Sequence, residues 1–198
     1  MGRGLAAIGL LVLAADGRAH AFSPDAGHFY SGLLHAFVDP GQILLMLALA
    51  LLAAQRGLML GRVVVVAVPV LALLVSLLPA QPEWLPFAEA WVLVAASLVA
   101  ALVAWERPLP DWLLQMPVYF AAIGPGLVNG TELARESWLI PRLYLSGAAL
   151  GIFVLLIGIF VLAARLRLWF ESIADIGARV LASWVVAGSA MVLALRWA

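Results

Sequence analysis

The chain has 198 residues, 66% hydrophobic and 11% charged, and its eleven basic residues, all Arg, balance eleven Asp and Glu for a formal net charge of zero. Soluble domains are about 25% charged, so this surface cannot be kept in water, which excludes an ordinary cytosolic domain, a disordered chain and a basic nucleic-acid binder. Cysteine is absent, which removes disulfides, thiolate catalysis, iron–sulfur clusters and Cys-based metal sites.

The chain opens on Arg3 and an apolar run from Leu5 to Ala15, followed by Ala19-His20-Ala21. A charged start, a short apolar stretch and a small-x-small site form the pattern of a secretory signal peptide. The apolar run is shorter than the roughly 20 residues that a membrane span needs. Residues 1–21 are therefore expected to be a signal-like segment, cleaved before His20 or Phe22 or retained as a first helix. Residues 22–198 are expected to form a single membrane domain.

Apolar runs separated by Pro, Gly and charged residues then predict about six transmembrane helices. They run from Pro40 (or Ser31) to Gln55, Arg62 to Leu78, Phe87 to Trp105, Asp111 to Val128, Leu143 to Ala164, and Val180 to Trp197. The fold class is thus all-α, a polytopic helical membrane protein in a lipid bilayer. Arg56, Arg62, Arg107, Arg165, Arg167 and Arg179 fall in loops of one side, against Arg135, Arg142 and Arg196 on the other. The positive-inside rule places the first set in the cytoplasm. The termini of the six-span core then face outward, in a bacterial inner membrane. Trp84, Trp105, Trp112, Trp138, Trp169 and Trp197 lie near span ends, where interfacial anchors belong. Arg165 to Arg179 reads as an amphipathic interfacial helix. Gly147 and Gly151 form a small-xxx-small step that serves an internal or an oligomer contact.

Polar side chains within the spans are costly and mark candidate sites. By the topology above, His35, Asp39, Gln42, Glu89, Asn129 and Glu132 share one layer near the outer surface, which suggests a polar cup. Each also has a structural role open to it. Asp39 before Pro40 is suited to cap a helix. Glu89, shortly after Pro86, suits a helix dipole, Glu132 suits a solvated helix exit, and His35 suits an interfacial position. His28 reads as a solvated loop residue, and His20 becomes a chelator only as a new N-terminus.

These residues resemble a known family. Gly32-Leu33-Leu34-His35-Ala36-Phe37 and Gly41-Gln42-Ile43-Leu44-Leu45-Met46 look like the first-helix motif of the HupE/UreJ family, small membrane proteins of hydrogenase and urease systems regarded as nickel or cobalt permeases. Glu89 followed by Ser97 is similar to the family's third-span pattern. Pro125-Gly126-Leu127-Val128-Asn129-Gly130-Thr131-Glu132 is similar to its His-Gly-x-x-His-Gly-x-Glu stretch. His35, Gly126, Gly130 and Glu132 match, whereas Gly41, Gln42, Pro125 and Asn129 stand where the family has Asp or His.

The resemblance implies a divalent transition-metal ion as substrate and no resident cofactor. It implies His35, Glu89 and Glu132 as metal contacts, Asp39 as a weaker one, and Gln42 and Asn129 as cup lining. Imidazole favours nickel and cobalt, and carboxylate and amide oxygens favour harder cations, so the altered set departs from a nickel site. The alternative is a non-transporting accessory or anchoring subunit, bound to other membrane subunits or to a second copy. No nucleophile–base pair or phosphate loop suggests an enzyme.

Overall fold

A computed structural model of the chain describes residues 27–105, 109–136 and 140–197. The signal-like segment, His20, Arg107 and Trp138 lie outside these residues. The described chain is helical: α1 His28–Val38, α2 Pro40–Arg56, α3 Leu58–Ser76, a 3₁₀ turn Pro82–Trp84, α4 Leu85–Trp105, α5 Asp111–Arg135, α6 Pro141–Trp169 and α7 Glu171–Trp197.

The first predicted span is two helices. Pro40 sterically disfavours helical backbone at the residue before it, and Asp39 accordingly adopts an extended conformation, φ −74° and ψ 112°. Its carboxylate caps α2, Oδ1 accepting from the amides of Gly41 at 2.7 Å and Gln42 at 3.1 Å. The two helices meet at a bend of 68°. Counted as one bent span, they join α3, the Pro82–Trp105 segment, α6 and α7 to make five helical units long and apolar enough to cross a membrane. The fourth expected span, α5, does not reach that apolarity. Gln115, Tyr119, Asn129, Pro117, Pro125 and its glycines dilute it. It packs nonetheless against α3 and α4 within the bundle.

Helix α2 is the centre of the fold. Leu45, Met46, Ala48 to Ala50, Leu52 and Ala53 are fully buried, and α2 packs against α3, α4, α6 and α7. Buried Ala and Val positions on α4, including Ala96, Val99 and Ala100, admit this close approach. Helix α1 lies along α6. A Cβ at Gly32 would strike the Tyr144 carbonyl, and one at Gly147 would strike the Phe29 carbonyl. A Cβ at Gly151 would strike the Leu33 carbonyl. The small-residue step of α6 therefore serves an internal contact, letting two backbones touch where a side chain would hold them apart.

The expected interfacial helix at Arg165–Arg179 does not form as a separate element. Leu166, Leu168 and Trp169 continue α6, the chain turns at Phe170, and Ile173 and Ile176 belong to the first turns of α7. Their apolar side chains are exposed. Each part extends a long helix because every added residue makes a backbone hydrogen bond to an existing turn. Trp84, Trp105, Trp112 and Trp169 are exposed at helix ends, as interfacial anchors would be.

Candidate functional site at the helix break

The antiparallel packing brings the start of α2, the start of α4, the end of α5 and the start of α6 to one end of the bundle. A Cβ at Gly41 would lie 3.3 Å from Val92 of α4, and one at Gly124 of α5 would lie 2.7 Å from the same residue. Trp91 fixes this pair of helices, donating from its indole nitrogen to the Phe120 carbonyl at 3.1 Å and stacking on the Phe120 ring. At the adjoining seam, Gly126 and Gly130 let α5 lie against Val75 and Ser76 of α3.

Around the break sit the polar groups expected of the cup. His35, in the last turn of α1, places Nε2 3.9 Å from Asp39 Oδ2, while Asp39 Oδ1 is committed to the cap. Gln42, in the first turn of α2, is fully buried, and both its amide oxygen and its amide nitrogen lack a hydrogen-bond partner. Asn129 is 3% exposed with Oδ1 unpartnered, and Glu132 follows one turn later, also buried. His35 Nε2 is buried without a hydrogen bond. Most buried polar groups in folded proteins are hydrogen-bonded, so a cluster of exceptions calls for a cause. A polar ligand that the protein is built to receive is one such cause.

Two further buried polar groups carry no motif. Tyr144, in the first turn of α6, is buried with its ring 6.3 Å from that of His35. The carboxyl groups of Glu132, Asp39 and Glu136 lie within electrostatic range of its hydroxyl. Tyr144 therefore links α1, the α1–α2 break and α5 at one point. Its only sequence signal is a polar ring just inside the apolar run after Pro141. Ser189 of α7 is fully buried with an unpartnered hydroxyl. It follows Gly188, whose Cβ position faces Leu44 of α2.

Glu89 lies on α4, one turn before Val92, and is half-buried. Among the described residues, no three His, Asp or Glu side chains come together closely enough to hold a metal ion. This end of the bundle therefore carries amide, hydroxyl and carboxyl oxygens with one imidazole, on α1, α2, α5 and α6. It lacks the closed ligand cage of a tight metal centre. A broken helix lined by unpartnered polar groups is the construction used at the substrate sites of many secondary transporters.

Fold and site together define a multi-pass helical membrane protein with buried polar side chains at one end of the bundle, beside a helix break. Within that class, the HupE / UreJ protein family matches residues 8–193, nearly the whole chain. The protein belongs to the HupE/UreJ family. No curated protein and no solved structure matches the chain.

Proposed function

We propose that this protein is a permease of HupE/UreJ type, not an enzyme, that passes a divalent metal ion through an altered, oxygen-rich site. The observation that carries the reading is the amide of Gln42, fully buried beside the helix break with neither polar atom partnered. Leaving one such group unmade costs about 1–3 kcal/mol, a cost that a purely structural position would shed by becoming apolar. A subunit that had kept the scaffold without the chemistry would pair Gln42 with backbone or with Asn129, and this pairing is absent.

The donor chemistry narrows the cargo. Carboxylate, carbonyl and water ligands suit magnesium, calcium and manganese, whereas imidazole suits nickel and zinc. With one imidazole, His35, among the oxygens of Asp39, Gln42, Asn129 and Glu132, the chamber fits a partly hydrated, hard divalent cation. Nickel and cobalt, the metals the family resemblance suggests, fit it less well. The arginine-rich end, carrying Arg56, Arg62, Arg165, Arg167 and Arg179, faces the cytoplasm of a bacterial inner membrane. The chamber then opens outward.

Uptake by purified protein in liposomes, with manganese, nickel, cobalt and zinc supplied separately, tests this. Manganese uptake is expected to exceed nickel uptake, to vanish in His35→Ala and to fall in Glu132→Gln. Uptake that persists in both variants would overturn the site.

A further inference from the structure

At the end of α2 opposite the break, one side chain reaches three helices. Arg167, in the last turn of α6, donates from Nη1 to the carbonyls of Ala54 and Gln55, the former at 3.1 Å. Its Nε pairs with Asp175 Oδ1 of α7 at 3.1 Å. Gln55 in turn donates from Nε2 to the Val103 carbonyl of α4 at 3.4 Å. One guanidinium thus ties α2 to α6 and α7, and the neighbouring amide ties α2 to α4. The last carbonyls of a helix have no partner within it and carry the negative end of its dipole, so a cation is well suited to grip them.

We propose that Arg167 is a latch that closes the arginine-rich end of the bundle and must release α2 before a solute in the chamber can leave on that side. Three observations support a latch over a permanent cap. The pair it forms is not buried: the Arg167 and Asp175 side chains are 33% and 24% exposed, so water can compete for both partners. Exposed ion pairs are weak and readily exchanged. The helix it grips is the buried core helix, which runs from Gln42 at the break to the knot at Gln55. Finally, the segment from Ala48 to Ala53 between those points is apolar and almost fully buried. The closed path is therefore dry below the chamber. It opens when α2 separates from α6 and α7, a rocking of packed helices of the sort that exposes a fixed site alternately to two sides. The latch rests on the permease reading for its purpose, but its geometry stands without it.

The absence of cysteine makes a direct test practical. Ala53→Cys places a thiol on fully buried α2 beside the knot, and Leu45→Cys places one on the same helix near the chamber. Each is labelled by a water-soluble maleimide in full-length protein in lipid nanodiscs, where both faces are accessible. The same is done with Arg167→Gln or the milder Asp175→Asn added. The expected result is a rise of at least tenfold in the Ala53→Cys labelling rate in both backgrounds, with Leu45→Cys unchanged. An unchanged Ala53→Cys rate overturns the latch. An equal rise at Leu45→Cys also overturns it, because the arginine would then be a general staple of the fold. Labelling needs no metal. Faster Ala53→Cys labelling in a protein that takes up none of the four metals would support the latch and sink the permease reading.

Discussion

Replacing Gln42 by Met removes both unpartnered atoms while keeping nearly the same length and volume. Each orphan polar atom costs about 1–3 kcal/mol, so the lower limit for Oε1 and Nε2 together is about 2 kcal/mol. Volume-conserving swaps in packed cores cost less than about 1.5 kcal/mol, which leaves a net stabilisation of about 0.5–2 kcal/mol. For a chain of this size, about 1 kcal/mol moves the unfolding midpoint by roughly 2–4 °C. Gln42→Met should therefore unfold about 1–8 °C above the wild type in a detergent thermal ramp. The same substitution should reduce metal uptake in liposomes at least tenfold, because the chamber loses its deepest donor. Higher stability together with lost uptake is the signature of a residue kept for its chemistry at the expense of the fold. A variant less stable than wild type would show that the amide is already satisfied in the resting protein. That result would remove the observation on which the site rests.

Three further outcomes are expected. Asp39→Ala loses the two amide bonds at the start of α2 and should cost about 1 kcal/mol, whereas Asp39→Asn should keep the cap; comparison of their thermal midpoints and uptake separates the capping role from the role opposite His35. Gly147→Leu drives a side chain into the Phe29 carbonyl and should destabilise by at least the roughly 1–3 kcal/mol of core overpacking, read as a lower midpoint and as faster protease cleavage near α1. Trp91→Phe keeps the ring against Phe120 but loses the indole bond to its carbonyl, a loss of about 1 kcal/mol; hydrogen exchange of the α4–α5 seam should rise, with exchange of α1 and α6 unaltered.

Much of the architecture was readable because it rests on local chemistry. Hydropathy alone identified the membrane class, and the Asp39-Pro40 pair announced a helix start through proline sterics and a capping carboxylate. The expectation that His35, Gln42, Asn129 and Glu132 share a layer rests on alternating helix directions. The helix count was less secure, since α5 has the length of a span but a composition softened by Pro, Gly, Asn and Gln. The stretch after Arg165 misled because exposed apolar residues among charges look alike in a separate surface helix and in the ends of two long ones.

The membrane class and the helix start at Asp39-Pro40 were legible in residue order, since hydropathy and backbone sterics act over a few residues. Helix packing settled that Gly147 and Gly151 receive α1, that Tyr144 lies beside His35, and that Arg167 reaches α2 across 112 residues of chain. Those outcomes depend on which helix faces which. That is settled by packing complementarity among small and large side chains distributed over the whole molecule.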